Sequence, residues 1–309
     1  MSSRSDTTAG VSRAENWATI LIPTRDSAAW IAAVLAHYLD RDCCPTLLVD
    51  ARTRDATREI AHSFGVAVHD LAGFTVTEAA VQASKEIVRT PWTLWVHDDE
   101  IPSDELFIRL AKAPPPESVT SVAIQRRWAW YEPDMPLTYG RSRFWRDRAR
   151  QAGADHMWRL FRQDCVTFVP AMHSDGFRIG KWCRLPADCY IVHFEWIIRS
   201  HTERVDKLRR YDAVRPGYGR FFENIYLPEG QPSGAIDYHP FESSVYESLA
   251  RTYYDARCKR APLGEPTSSR ADILSVRGEQ VVVGAEFAQD PEDRTGLSPC
   301  MDLEVLDVW

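Results

Sequence analysis

The sequence predicts an α/β fold in which a mostly parallel sheet is covered by helices on both faces. Three observations carry that expectation. Trp17 to Pro23 (WATILIP), Thr46 to Asp50 (TLLVD) and Trp92 to Val96 (WTLWV) are short apolar runs without alternation, which suits strands buried on both faces. Segments of helical composition separate these runs. Each run also leads into polar, carboxylate-bearing residues, namely Pro23 to Asp26, Asp50 to Asp55 and His97 to Glu100. In open α/β sheets the carboxyl ends of the strands are where ligands bind.

Residues 1–15 are polar and are expected to be disordered. After the first strand, Ser27 to Leu39 reads as a helix, and Asp55 caps a helical stretch running to Phe64 after the second. Val66 to His69 makes a third short strand, Thr75 to Val88 a helix with a threonine start, and Ser103 opens the helix after the fourth strand. This regular alternation is the pattern of a parallel sheet wound with helices. Three prolines at 114 to 116 punctuate the chain before a strand at Val119 to Arg126.

Beyond that point the pattern becomes irregular and aromatic. Residues 126–150 hold seven Arg and three Trp against three acidic residues. Strands at Met157 to Phe161 and Tyr190 to Phe194, and helices at Thr202 to Val214 and Phe241 to Arg257, complete an irregular half. Alternating runs at Val281 to Val283 and Leu303 to Val308 suggest a small C-terminal β element. The chain thus divides at 1–15, 16–130, 131–262 and 263–309, the middle two segments being halves of one domain.

The 309 residues are 44% hydrophobic and 26% charged, the balance of a globular protein with a large core. Ten acidic residues against three Arg in 263–309 carry the whole net charge of -7, leaving the first 262 residues neutral. A general nucleic-acid binder needs a basic excess, so no nucleic-acid partner is expected. No apolar stretch reaches 18 residues, the start lacks the apolar core of a signal peptide, and the seven Cys contain no C-x-x-C pair. A cytoplasmic protein with free thiols is expected. No G-x-G-x-x-G follows the first strand and no G-x-x-x-x-G-K occurs, which argues against an NAD enzyme.

The acidic run at the end of the fourth strand carries the chemistry. A nucleoside diphosphate leaving a sugar gathers negative charge, which a hard divalent cation held by carboxylates neutralises. Asp98, Asp99 and Glu100 are placed for that task, the plainer alternative being an acidic turn and N-cap before the Ser103 helix. Cys165, His173, Cys183, Cys189 and His193 mix the ligand types of structural zinc, but at spacings that match no zinc pattern.

Three segments together resemble the family 2 glycosyltransferases with the Rossmann-like fold called GT-A. They are Ile22-Pro23-Thr24-Arg25, the stretch Val49 to Thr57, similar to the family's V-D-x-x-S-x-D-x-T, and Trp95 to Leu106 (WVHDDEIPSDEL), similar to its D-x-D-E metal motif. Arg159-Leu160-Phe161-Arg162 resembles the R-L-F-R run of the bacterial lipopolysaccharide-type branch. His193-Phe194 with Glu203, Lys207 and Tyr211 resembles that branch's H-Y followed by an E-x-x-x-K-x-x-x-Y helix. The likeness covers roughly residues 17 to 215.

The resemblance implies an inverting, metal-assisted transfer from a nucleoside diphosphate sugar, with UDP favoured, to a saccharide or other hydroxyl acceptor, using Mn²⁺ or Mg²⁺. It implies donor contacts from Pro23, Thr24, Arg25, Asp50, Asp55, Asp98, Arg159 and Arg162, and metal contacts from Asp99, His97 and His193. Asp55 also reads as a plain helix cap, and each Arg as a surface ion pair. In the family register His97 stands where the first Asp of D-x-D belongs, Ala51 lacks a second acidic group, and Ser174 replaces the Glu of an H-E pair. An imidazole ligates Mn²⁺ or hydrogen-bonds a ribose, so His97 is compatible with the role.

Asp175 is then the candidate general base, with Glu195 in reserve. Trp128 to Arg150 fits an acceptor loop, a contact with an anionic membrane surface, or ordinary core packing. Because the departures concern site residues, a non-catalytic sugar-nucleotide-binding protein stands as the alternative. A nucleotidyltransferase is further off, since no glycine-rich basic loop follows the first strand.

Overall fold

The computed structural model describes residues 17–72, 77–142, 156–169, 177–178, 180–214, 216–230, 236–241, 243 and 245–260. In chain order the strands are β1 (Ala18–Thr24), β2 (Thr46–Asp50), β3 (Ala67–Leu71), β4 (Trp92–Trp95), β5 (Glu100–Pro102), β6 (Ser121–Trp130), β7 (Thr138–Ser142), β8 (His156–Arg162), β9 (Thr167–Phe168), β10 (Phe177–Arg178), β11 (Trp182–Arg184), β12 (Tyr190–His193) and β13 (Ile236–Pro240). The helices are α1 (Ile31–Leu39), α2 (Thr57–Ser63), α3 (Thr77–Val81), α4 (Ser84–Ile87), α5 (Asp104–Lys112), α6 (Glu195–Ile198), α7 (His201–Val214), α8 (Tyr218–Tyr226) and α9 (Val245–Lys259). Strands β9 and β10 form a separate pair.

The other strands join in one sheet, in the order β13-β7-β6-β8-β4-β1-β2-β3, with β11 and β12 also on β6 and β5 on β12. The block β4-β1-β2-β3 is parallel throughout, as the apolar runs of β4, β1 and β2 predict. Alternate residues of β1 serve different cores. Ile20 and Ile22 pack in the cluster that holds α1, α5 and α9 residues such as Leu35, Leu106 and Tyr253, while Leu21 packs with Leu48, Trp95, Val81 and Phe161 on the other face. Both faces of β1, β2 and β4 are therefore dry, whereas the edge strand β3 is exposed or half-buried along its length.

Local signals fix the helix starts. Ser103 Oγ accepts a hydrogen bond from Leu106 N at 3.2 Å, with Asp104 and Glu105 in the first turn of α5 and Arg109 and Lys112 in its last, so cap and dipole agree. Ser200 and Glu203 form a reciprocal capping box at the head of α7, with Ser200 N donating to Glu203 Oε2 at 2.7 Å and Glu203 N to Ser200 Oγ at 3.3 Å. The helix expected over Thr75 to Val88 is two short ones, α3 and α4. The strands β5, β7, β11 and β13 and the helices α6 and α8 carry no clear period in the sequence. The expected elements at Val281 to Val283 and Leu303 to Val308 lie outside the described residues.

Strand β6 is long because it serves two sets of neighbours. Its first half pairs with β8 and β11, its second half with β7 and β12. The register places His193, Trp128, Gly140 and Tyr238 side by side across β12, β6, β7 and β13. Gly140 is required in this row, since a Cβ there would stand 2.6 Å from the Trp196 ring. Trp196 in turn stacks on Trp128, at 5.2 Å between ring centres, and its Nε1 donates to Ile225 O at 2.7 Å. Among the described residues no helix is long and apolar enough to cross a membrane, and the six described cysteines form no disulfide.

Replacing Gly140 with Ala is expected to destabilise the protein by about 1–3 kcal/mol through overpacking against Trp196, read as a melting temperature lower by several degrees. Unchanged melting would show that the indole has room to retreat.

Candidate functional site

The carboxyl ends of β1, β2 and β4 meet at one edge of the sheet, and their loops are tied together. Thr24, the last residue of β1, donates from Oγ1 to Asp98 Oδ2 at 2.7 Å, and Ser27 Oγ donates to the same oxygen. Asp26 adopts a left-handed backbone (φ 51°), tolerable for Asp, and accepts from Arg54 N at 2.9 Å. Asp55 accepts from Ala28 N at 2.8 Å and from Thr57 N at 3.1 Å, while Thr57 Oγ1 accepts from Ser27 N at 2.8 Å. Asp55 thus clamps the loop after β1 to the start of α2; the helix N-cap itself is Ala56. Pro23 lies within β1, paired with Leu48 of β2.

Asp50 ends β2 fully buried, and its carboxylate is clasped by Arg52. Arg52 Nε and Nη2 lie 3.0 and 2.6 Å from the two oxygens, and Arg52 N donates to Oδ1 at 2.8 Å. Burial opposes the charge, yet the Arg52 hydrogen bonds outweigh it and hold the carboxyl below its usual range. Arg25 is half-exposed, and its Nε lies 3.3 Å from Asp26 Oδ2.

The acidic run after β4 is divided among three partners. Asp98 has its carboxyl pushed up to about 7, first by burial and then by the charge of Asp99. Its backbone carbonyl accepts from Tyr253 OH of α9 at 2.8 Å. Glu100 is fully buried on β5. It accepts from Arg159 Nη2 at 2.7 Å and from His97 N at 3.0 Å, with Arg126 at 3.6 Å. Burial would raise its carboxyl, but the guanidinium groups of Arg159 and Arg126 hold it well below the usual range.

Asp99 faces His193, whose Nε2 lies 3.5 Å from Oδ2. These two and Glu195 present ligand atoms within 4.8 Å of one another, all three residues buried. Glu195 accepts from Lys207 Nζ at 2.9 Å and Arg199 Nε at 3.2 Å. Against the effect of burial, these two cations keep it ionised and below its usual range. His97 Nε2 and His193 Nδ1 are enclosed without a hydrogen-bond partner among the described residues. The His97 imidazole is pushed down to about 4, chiefly by burial with Arg159 and His193 adding to it, so it is neutral at neutral pH.

This group of two carboxylates and an imidazole, with the neutral His97 imidazole beside it, fits a divalent cation of the Mg²⁺ or Mn²⁺ kind. Among the described residues Cys165, Cys183, Cys189 and His193 form no such group. His173, Ser174 and Asp175 lie outside the described residues.

Arg162 departs from the sequence expectation. It pairs with Trp92 at the amino end of β4, bonds Asp164 at 3.0 Å and Glu117 O at 3.1 Å, and so stands at the opposite edge of the sheet. Residues that the sequence did not single out are Arg52, Arg199 and Tyr253. Of these only Arg199 had a signal, four residues after Glu195. A groove of about 950 Å³ between α1, α5 and α9, lined by His37, Arg41, Phe107, Ile108 and Leu249, holds none of these site residues.

No family model matches the chain. Over 80 residues it is 31% identical to "Glycosyltransferase AglJ" of Haloferax volcanii, a segment covering 26% of this chain and 26% of that protein. The chain therefore matches about a quarter of the length of this curated relative. Among solved structures, S. aureus TarS 1-349 in complex with UDP-GlcNAc has a TM-score of 0.43 at 13% identity, covering 64% of this chain and 66% of that one. Glucosyl-3-phosphoglycerate synthase from Mycobacterium tuberculosis, in complex with Mn²⁺, UDP and glucosyl-3-phosphoglycerate, has a TM-score of 0.42 at 12% identity, covering 78% and 94%.

The raised Asp98 carboxyl has a definite consequence for metal-free protein. Its folded value lies above the ordinary 3.8, so its contribution to stability is complete in acid and is lost as the pH rises through about 7. Asp98→Asn, which never ionises, is expected to melt about 2–4 °C higher than the parent in EDTA near pH 8. The gain should shrink as the pH falls from about 7 and vanish only near and below 3.8; a gain independent of pH would show that Asp98 ionisation is not its source.

Proposed function

We propose that this chain is a glycosyltransferase that moves a sugar from a nucleoside diphosphate sugar, with UDP favoured, to a hydroxyl of a saccharide or small-molecule acceptor, inverting the anomeric centre. The observation that carries this reading is the buried group of Asp99, His193 and Glu195 at the carboxyl edge of the parallel strands. The loops holding Thr24, Arg25, Asp50 and Asp55 stand at that same edge. The 80-residue likeness to AglJ supports the same class of chemistry.

Asp99 and His193 would hold Mn²⁺ or Mg²⁺, with Glu195 or His97 completing the set. When bound, the cation offsets charge gathering on the departing diphosphate. The chain's own groups do the rest. Asp50, oriented by Arg52, receives the nucleoside, and half-exposed Arg25 is available to the phosphates. Arg159 acts indirectly, by neutralising Glu100 so that the loop before it can stay buried. Thr24 and Ser27 fix Asp98, which keeps the loop shape constant while the donor changes.

In a single inverting displacement a carboxylate takes the acceptor proton. Asp175 is the proposed base. Glu195 is the less suited of the two, because Lys207 and Arg199 lower its basicity, and a base works best with a pKa near the operating pH. A non-catalytic sugar-nucleotide-binding protein is the second reading, favoured by the neutral His97 where a carboxylate is expected.

UDP is expected to raise the melting temperature only with Mn²⁺ or Mg²⁺ present, and Asp99→Ala to abolish that shift. Equal stabilisation in EDTA and in Asp99→Ala removes the metal from the reading. Asp175→Asn is expected to keep UDP binding and cut sugar transfer by about 10²–10⁴. Full transfer in Asp175→Asn with loss in Glu195→Gln moves the base to α6; no transfer by any form, with nucleotide binding intact, favours the binding protein.

A further inference from the structure

The register that brings His193 beside Trp128 continues through Gly140 to Tyr238 on the same face of the sheet. Along this row the aromatic surface is unbroken. Trp128 packs edge-on against His193 at 4.3 Å and stacks on Trp196, Trp196 meets Trp130 at 6.2 Å, and Trp130 meets Tyr238 at 6.1 Å. The inner rings are buried, but Tyr238 is 45% exposed and Trp130 is half-buried. The wall therefore begins at the candidate metal group and ends in two open rings, about 14 Å away across three strand spacings.

Polar groups edge these rings. Trp130 Nε1 donates to the exposed Glu132 carboxylate at 3.3 Å, and Glu229, Arg204 and Glu132 lie near enough for their charges to act on the Tyr238 hydroxyl. A sugar ring has a face of C–H groups and a rim of hydroxyls. An electron-rich aromatic face attracts the first, and carboxylates accept hydrogen bonds from the second. A nucleotide phosphate would find two carboxylates here against one guanidinium, so the surface suits a neutral ring better than an anion.

We propose that Trp130, Tyr238 and Glu132 form a saccharide subsite that holds a sugar ring of the acceptor remote from the reacting hydroxyl. The assignment rests on the glycosyltransferase reading and narrows it, because the acceptor is then an oligosaccharide or glycoconjugate rather than a single sugar or a small alcohol. Binding at a distance also uses remote contacts to position the reacting end.

The test uses the full chain with UDP and Mn²⁺ on a panel of immobilised mono- to tetrasaccharides of glucose, galactose, mannose and N-acetylglucosamine. At least one tri- or tetrasaccharide is expected to be retained better than any monosaccharide. Tyr238→Ala and Trp130→Ala should each lower that retention about three- to tenfold, Tyr238→Phe should keep it, and the UDP–Mn²⁺ melting shift should be the same in all. Retention indifferent to both Ala variants overturns the subsite, as does an empty panel with the melting shift intact. Tyr238-dependent binding to phosphatidylserine vesicles in place of glycans overturns it too. Absence of the UDP–Mn²⁺ shift in the parent protein is a different failure: it removes the transferase reading, and the acceptor assignment falls with it.

Discussion

The Glu100 ion pair with Arg159 is the constraint around which the rest is arranged. A carboxylate with no exposed surface is tenable only when fully compensated, and Glu100 has Arg159 at 2.7 Å, the His97 amide and Arg126 around it. Arg159 comes from β8, and the strand that holds Glu100 in register is β12. Neither belongs to the first parallel block, so the acidic turn after β4 takes its shape only when the second half of the sheet has added its strands. The same register sets Glu100 beside His193, which brings an imidazole to Asp99.

Three adjacent carboxyl groups thereby acquire different characters from their surroundings alone. Glu100 is kept charged by guanidinium groups, Asp98 is pushed towards the neutral form by burial and tied by two hydroxyls, and Asp99 is left facing the imidazole. The loops after β1 and β2 are equally fixed beforehand, through Asp55, Thr57 and the contact of Asp26 with Arg54. A ligand entering this edge meets a surface whose polar groups are already oriented, which lowers the ordering cost of binding.

The parallel block was legible because strands buried on both faces leave unbroken apolar runs, and β1, β2 and β4 match theirs closely. The carboxyl-edge rule then located the loops that carry Thr24, Asp50 and Asp98. What stayed hidden depends on pairing between distant segments. Strands β5 and β11 have three residues each, too few for a period to register, and β7 and β13 form their edge pair through contacts nearly a hundred residues apart. The R-L-F-R run misled in one respect. β8 runs against β4, so Arg159 reaches the acidic turn at the carboxyl end of β4 while Arg162 ends beside Trp92 at its amino end. The clasp of Arg52 on Asp50 spans only two residues, and nothing in the spacing distinguishes it from an arginine in solvent.

The hydrogen bond from Tyr253 to the carbonyl of Asp98 joins positions 155 residues apart. On a growing chain, made from the amino end at about 5–20 residues per second, the acidic turn waits on the order of ten seconds or more before its strut in α9 is synthesised. Within that interval the parallel block can form first, Arg159 and His193 follow partway through, and Tyr253 comes last, so the carboxylates keep their water until these partners arrive. The acidic turn therefore reaches its final shape only after residue 253 has been made, well after the strands that carry it.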